Sequence, residues 1–310
     1  MKNLKYRTGK QMNEVNEPKN SWGGNWTEIK LETFEKYVNA YLTIMNMQKL
    51  RYEGWPTTIY FDGFAGSGSR CLTATNEENN LFADYLIKEE LEVYKGSAER
   101  VLGLAKKFDY YYFVENVESS INSLEKMLRE KEIANDKCYF LKDDVNNQLK
   151  ELSNFIDDKK AALVLLDPFG MQIDWTSIEL LKDKRVDLWI LIPSGVIINR
   201  FLDGKGKLIF SKKLQSYFGL SEEEIRNKFY NNKSIETLFG AVDKVTKVND
   251  SVAKIAELYI ERLRKIWGFV SEEPLKLFNT KNVPIYHFVF ASNNKTALKI
   301  AKQIIKKKNK

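Results

Sequence analysis

One pattern constrains this chain more than any other. Short β-branched or aromatic runs end in an acid- or glycine-bearing turn, and a segment of helical period follows. Thr57 to Phe61 runs into Asp62-Gly63-Phe64-Ala65-Gly66-Ser67-Gly68. Asp109 to Val114 is closed by Glu115, and Lys137 to Leu141 by Lys142-Asp143-Asp144. Ala161 to Leu166 is closed by Asp167-Pro168-Phe169-Gly170, and Asp187 to Ile192 by Pro193-Ser194-Gly195. Helical segments are expected at Leu81–Lys88, Ala98–Phe108, Ile121–Glu130, Val145–Ile156 and Trp175–Leu181. Fully apolar strands alternating with helices imply a parallel sheet covered on both faces. Right-handed crossovers make that sheet doubly wound, with ligands at the carboxyl ends of its strands.

The flanks differ. Residues 1–20 are polar. Trp22-Gly23-Gly24-Asn25-Trp26 is an aromatic island around a turn. Thr27 to Leu50 reads as a helix with Thr27 as N-cap and a stripe of Ile29, Phe34, Tyr37, Val38, Tyr41, Leu42 and Met45. From Ile197 to about Ile266 helices are expected at Leu214–Phe218, Glu222–Phe229 and Val252–Trp267, with charged loops between them. The sheet resumes at Gly268 to Phe278 and, after a turn at Asn282-Val283-Pro284, closes with Ile285 to Ala291 as a hairpin partner. The expected divisions are an N-terminal extension (1–26), a core (27–196), a helical insertion (197–266), and the last strands with a basic C-terminal helix (267–310).

Charge is concentrated at one place. The formal net charge is +7, and residues 295–310 hold seven lysines and no acid, which leaves the rest of the chain neutral. Ala297, Ile300, Ala301 and Ile304 give that segment one apolar helical face, so its lysines are either a solvated face or a phosphate-binding patch. No run of about 18 apolar residues is present to cross a membrane. The first residues lack the apolar core of a secretory signal, so a cytoplasmic location is expected. Two cysteines, Cys71 and Cys138, make neither a disulfide framework nor a zinc site, and no metal is expected.

Four strand ends carry candidate chemistry. Glycines 63, 66 and 68 allow a sharp turn and close approach to main-chain amides, or make a plain tight turn. The loop lacks the Gly-Lys-Ser/Thr of a P-loop and the G-x-G-x-x-G of a dinucleotide loop, which favours a ligand without pyrophosphate. Glu115 can accept two hydrogen bonds from a ribose diol, or be a solvated acid. Asp144 can take an adenine amine, or serve as a helix N-cap. Asp167 and the Pro168 carbonyl can accept hydrogen bonds from a planar amine on whose ring Phe169 stacks. The alternative is a structural Asp-Pro turn. An aryl amine is a poor nucleophile, because its lone pair is delocalised, and two acceptors would draw it towards a tetrahedral geometry. His287, the single histidine, is expected as a core or hairpin residue. Lys30 either faces the pocket or is solvated.

The run Asp62 to Gly68, then Glu115, Asp144 and Asp167-Pro168-Phe169-Gly170 in that order, resembles a class I S-adenosylmethionine-dependent methyltransferase. More narrowly, the chain resembles the three-Cys-motif partner (TcmP) family. Lys30, Tyr60 to Gly68, Gly96-Ser97, Phe113-Val114-Glu115, Leu166 to Gly170 and Tyr286 to Ser292 carry that likeness, from about Trp26 to the end. The resemblance implies a doubly wound, Rossmann-like methyltransferase sheet with a C-terminal antiparallel hairpin and S-adenosyl-L-methionine as cofactor. It places Asp62, Gly63, Phe64, Ala65, Gly66, Gly68, Glu115 and Asp144 at the cofactor and Asp167, Pro168 and Phe169 at the acceptor. Asp167 to Gly170 also looks like the block of tRNA guanine-N2 dimethyltransferases. It lacks the second proline of the Asp-Pro-Pro-Tyr/Phe block of adenine-N6 enzymes.

The expected function is methyl transfer to an exocyclic amine of a nucleobase in RNA or DNA. The alternatives are a cofactor-binding, catalytically weak partner in a protein complex, and a small-molecule methyltransferase.

Overall fold

The computed structural model describes residues 24–67, 96–195, 197, 201–203, 206–237, 240–248, 250–279 and 282–308. Gly68, Cys71, Trp22 and the segment Leu81–Lys88 lie outside the described residues.

Helix α1 (Gly24–Arg51) precedes β1 (Thr57–Asp62), α2 (Ser97–Gly103) and β2 (Tyr110–Glu115). Then come α3 (Glu118–Glu130), β3 (Cys138–Lys142), α4 (Val145–Phe155), β4 (Lys160–Leu166), α5 (Trp175–Glu179) and β5 (Val186–Ile192). Helices α6 (Ser211–Phe218) and α7 (Glu222–Phe229) lead to strands β6 (Tyr230–Thr237) and β7 (Gly240–Lys247). The chain continues with α8 (Ser251–Leu263), β8 (Phe269–Val270), β9 (Leu275–Phe278), β10 (Pro284–Ser292) and α9 (Lys295–Lys308).

The main sheet runs β3-β2-β1-β4-β5-β10-β8, with β9 also paired to β10. Strands β1 to β5 are parallel. Strand β10 is antiparallel to β5, β8 and β9, which makes the expected C-terminal hairpin. The order reverses between β1 and β4, so the topological switch point lies at their carboxyl ends.

Alternation along each strand splits the core into two layers. Ile59, Phe61, Val164 and Leu166 face one side, where α4, α5, α6 and α8 pack through Leu149, Ile178, Tyr217 and Tyr259. Tyr60, Leu163, Leu165, Trp189 and Phe288 face the other, under α1, α2, α3 and α9. Burial on both faces is why β4 and β5 read as unbroken apolar runs.

Helix α1 crosses the sheet with Phe34, Tyr37, Val38, Tyr41 and Leu42 inward, the periodicity of a one-faced helix. Each end is tied by charge. Lys30 Nζ reaches Asp167 past the end of β4, and Lys49 Nζ lies 2.5 Å from Asp109 Oδ2 at the amino end of β2. The helix extends back to Gly24, so Thr27 lies inside it and is not its cap.

Two further expectations are corrected. The helix expected over Ala98–Phe108 stops at Gly103, because Leu104 is extended (ψ 147°). Phe108 is then free to pack as a loop plug on Tyr41, with ring centroids 5.8 Å apart. Within 197–266 the expected charged loop is an antiparallel hairpin, with Tyr230 opposite Lys247 and Thr237 opposite Gly240. The three expected helices are present, but Tyr217, Phe218, Ile255 and Tyr259 belong to the same core as the sheet.

Candidate active site

The site forms where β1, β2 and β4 end side by side. Parallel pairing sets Asp62 opposite Leu165, so Asp62 and Asp167 project from neighbouring strand ends on the α1 side. Asp62 is fully buried. Its Oδ2 accepts from Ser97 Oγ (2.6 Å) and Tyr60 Oη (3.1 Å), and its Oδ1 from the Phe64 N–H (3.2 Å). Burial pushes its carboxyl up to about 6, and the charge of Asp167 adds to that. The hydrogen bonds from Ser97, Phe64 and Tyr60 oppose it. Asp62 therefore stitches the turn after β1 to the start of α2.

The turn itself is shaped by its glycines. A Cβ on Gly63 would stand 2.6 Å from Leu166 Cδ2 and 2.8 Å from Val145 Cγ2, so the backbone fits only as glycine. Ala65 N–H donates to the Val114 carbonyl (2.9 Å), which lays the loop over β2. Gly66 has φ +64°, and among the described residues nothing stands within 4 Å of where its Cβ would be. The same holds for Gly96, the N-cap of α2. Glycine backbone thus lines an open surface beside the carboxylates.

Glu115, at the end of β2, meets this loop directly. Its Oε2 accepts from the Gly66 N–H (3.2 Å) and its Oε1 from the Val117 N–H (3.0 Å). Burial raises its pKa, while the N–H groups of Val117, Gly66 and Asn116 pull it back. A carboxylate has four lone-pair sites, so these three N–H groups leave one for a ligand hydroxyl.

Asp144 is exposed and caps α4, with Oδ1 accepting from the Asn146 N–H (2.8 Å). The neighbouring Asp143 is drawn inward, accepting from Gln148 Nε2 (2.8 Å) and Asn147 Nδ2 (3.0 Å), and those bonds hold its pKa down. Asp144 is thus the one of the two whose carboxylate stays open to solvent.

On the other side of the switch point, Lys30 Nζ donates to Asp167 Oδ2 at 2.5 Å, with side-chain exposures of 3% and 20%. The lysine also lies 5.3 Å from the centroid of the Trp26 ring, which stacks on Tyr286 at 5.1 Å. Among the described residues no hydrogen bond is made to Asp167 Oδ1. Pro168 is buried, and Phe169 beyond it is 45% exposed, an aromatic face held at a strand end.

Residues the sequence reading gave no role also appear. Ser97, at the start of α2, holds Asp62. Ser194, just past β5, places Oγ 2.7 Å from Nδ1 of His287 in β10, and both are buried. Burial lowers the His287 pKa to about 4, with Lys276 contributing, so its imidazole is neutral near pH 7. The Gly96-Ser97 pair is visible in the sequence, but 35 positions separate Ser97 from Asp62 and no local pattern links them. Among the described residues no cluster of metal-ligating side chains occurs, and no helix is long and apolar enough to cross a membrane.

No protein-family model matches the chain, and no curated protein matches it. Similar solved structures include a protein from Legionella pneumophila, 15% identical, covering 92% of this chain and 91% of that one, with a TM-score of 0.47. The N-terminal domain of EvdMO1 with S-adenosylhomocysteine bound is 9% identical, covering 82% and 81% respectively, with a TM-score of 0.35. A protein from Listeria monocytogenes described as an S-adenosylmethionine-dependent methyltransferase is 11% identical, covering 77% and 92%, with a TM-score of 0.33. At these levels the conclusions for this chain rest on its own strand order and side chains.

Proposed function

We propose that this chain is an S-adenosylmethionine-dependent methyltransferase of the three-Cys-motif partner kind, acting on an exocyclic amine of a nucleobase. The observation that carries the reading is the juxtaposition at the switch point. An open glycine turn braced by Glu115 lies on one side, and a carboxylate fixed by a buried lysine beside an exposed aromatic lies on the other. S-adenosylmethionine, when bound, supplies an electrophilic methyl group on sulfur.

The chain's own residues do the rest. Gly63 lets the turn close against Leu166 and Val145, Gly66 leaves room for the amino-acid moiety, Glu115 accepts from the ribose diol, and the open face of Asp144 accepts from the adenine amine. Lys30 commits Asp167 Oδ2 and so fixes the plane of the carboxylate. Oδ1 and the Pro168 carbonyl then accept the two N–H groups of the acceptor amine. Phe169 stacks on the acceptor ring, a contact worth about 1–3 kcal/mol. Holding nitrogen in line with the methyl group supplies most of the acceleration. Asp167 Oδ1 would take the proton shed by the acceptor nitrogen and pass it to solvent. A base within a duplex would have to be flipped out.

Helix α9 supports a polyanionic substrate. It leaves the amino end of the sheet and returns to the site end, where Lys308 pairs with Glu32, two residues from Lys30. Lys308 thus brings the basic last turn of α9 close to the α1 segment that carries Lys30.

The test is transfer from labelled S-adenosylmethionine to total RNA, DNA and small metabolites. Label in nucleic acid supports the reading, and label in metabolites only replaces the substrate. Binding of the cofactor without turnover makes the chain a binding partner in a complex. A Lys30→Met, Asp167→Ala double variant removes the acceptor without stranding a buried charge, and full activity in it would refute the role of Asp167.

A further inference from the structure

A second built site lies at the far end of the sheet. Where α1 and α9 part over the amino end of β5, a cavity of about 150 Å³ opens, lined by Tyr37, Tyr41, Met45, Gln48, Asp187 and Ile300 among others. Asp187 is its charged wall. Oδ2 accepts from Tyr37 Oη (2.6 Å) and Oδ1 from Ser292 Oγ (2.5 Å). Both donors are neutral, and no cationic side chain forms an ion pair with Asp187 among the described residues. Asp187 is half-buried, and a partly desolvated carboxylate held only by neutral donors favours a cation beside it. Tyr41 lines the same cavity, and its hydroxyl is buried with no hydrogen-bond partner among the described residues. Neither group serves the candidate active site, which is at the opposite ends of the strands.

These features define a ligand class. The negative wall selects a cation. The two tyrosines in the lining favour an organic cation over a strongly hydrated metal ion. Met45 and Ile300 give the cavity an apolar side, which a bare inorganic ion would leave unused. A cavity of this size holds a molecule about as large as benzene. We propose that the cavity binds a small aliphatic ammonium compound. Its nitrogen lies between the Asp187 carboxylate and the Tyr41 hydroxyl, and its alkyl part lies against Met45 and Ile300.

The probe is n-butylammonium chloride, with 1-butanol as neutral isostere and potassium chloride at equal ionic strength. Affinity is read by saturation-transfer NMR and the melting temperature by calorimetry, on the full chain. Saturable binding and a rising melting temperature are expected with n-butylammonium alone. Asp187 ties α1, β5 and β10 together, so Asp187→Asn is supplemented by Ile300→Trp, which fills the cavity from its rim. Both should weaken binding at least tenfold, and Tyr41→Phe severalfold. The proposal is overturned if n-butylammonium does not bind or if butanol binds equally. It is also overturned if potassium chloride gives the same shift, or if Ile300→Trp binds as wild type does.

Discussion

Lys30 Nζ and Asp167 Oδ2 lie 2.5 Å apart although 137 positions separate them in the chain. The pair joins the first helix to the carboxyl end of β4, and it turns an Asp-Pro turn into a carboxylate of fixed orientation. Removing one member strands the other. Lys30→Met should lower stability by about 2–3 kcal/mol, at the modest end for a broken buried pair because Asp167 is 20% exposed. A double-mutant cycle with Asp167→Asn, read by urea unfolding, should give a coupling of about 1–3 kcal/mol. Cofactor affinity of Lys30→Met should stay close to wild type while methyl transfer falls.

Asp62 makes stability depend on pH in a definite direction. Its folded pKa is about 6 against an unfolded value of 3.8. Between those values the native state binds more protons than the unfolded chain, so stability falls as pH rises through that window and is then flat. A two-unit shift corresponds to about 3 kcal/mol. Urea unfolding from pH 4 to 7 should show that this decline is smaller in Asp62→Asn by an amount of that order. An unchanged slope would show that Asp62 is not held as described.

The glycines should separate by mechanism. Gly63→Ala forces a methyl to 2.6 Å from Leu166 and should cost about 1–3 kcal/mol, together with cofactor binding. Gly66→Ala has room but keeps φ at +64°, and should cost about 1 kcal/mol from backbone strain alone. Gly96→Ala meets no described residue within 4 Å and should leave stability nearly unchanged. Thermal unfolding of the three variants tests the order.

His287 should be silent across the neutral range. It is the single histidine, so its ring proton resonance can be followed directly by NMR. The midpoint should lie near 4 rather than 6.5. Because the unfolded chain binds that proton first, stability should fall as pH drops between these values. A midpoint near 6.5 would mean that the Ser194–His287 contact is open to solvent.

What could be read beforehand followed local rules. Ala161 to Leu166 announces a strand because burial on both faces leaves no polar position, and the acid at the end of each of the first four strands marks the ligand edge. Long-range pairings leave no such trace. Nothing around Lys30 says that it reaches Asp167, and nothing around Ser97 says that it holds Asp62. The β6–β7 hairpin escaped because residues 230–247 pair mainly with each other and carry no apolar alternation. Helix α2 was read too long because Leu104 and Phe108 keep helical spacing while packing as a loop.

The most direct measurement is calorimetric titration of the full chain with S-adenosylhomocysteine, repeated with Glu115→Gln. The site as described should bind one equivalent, and loss of the Glu115 charge should weaken it at least tenfold, about 1.4 kcal/mol. An absence of heat with the wild-type chain, or equal affinity in the variant, would contradict the assignment of the glycine turn and Glu115 to an adenosyl cofactor.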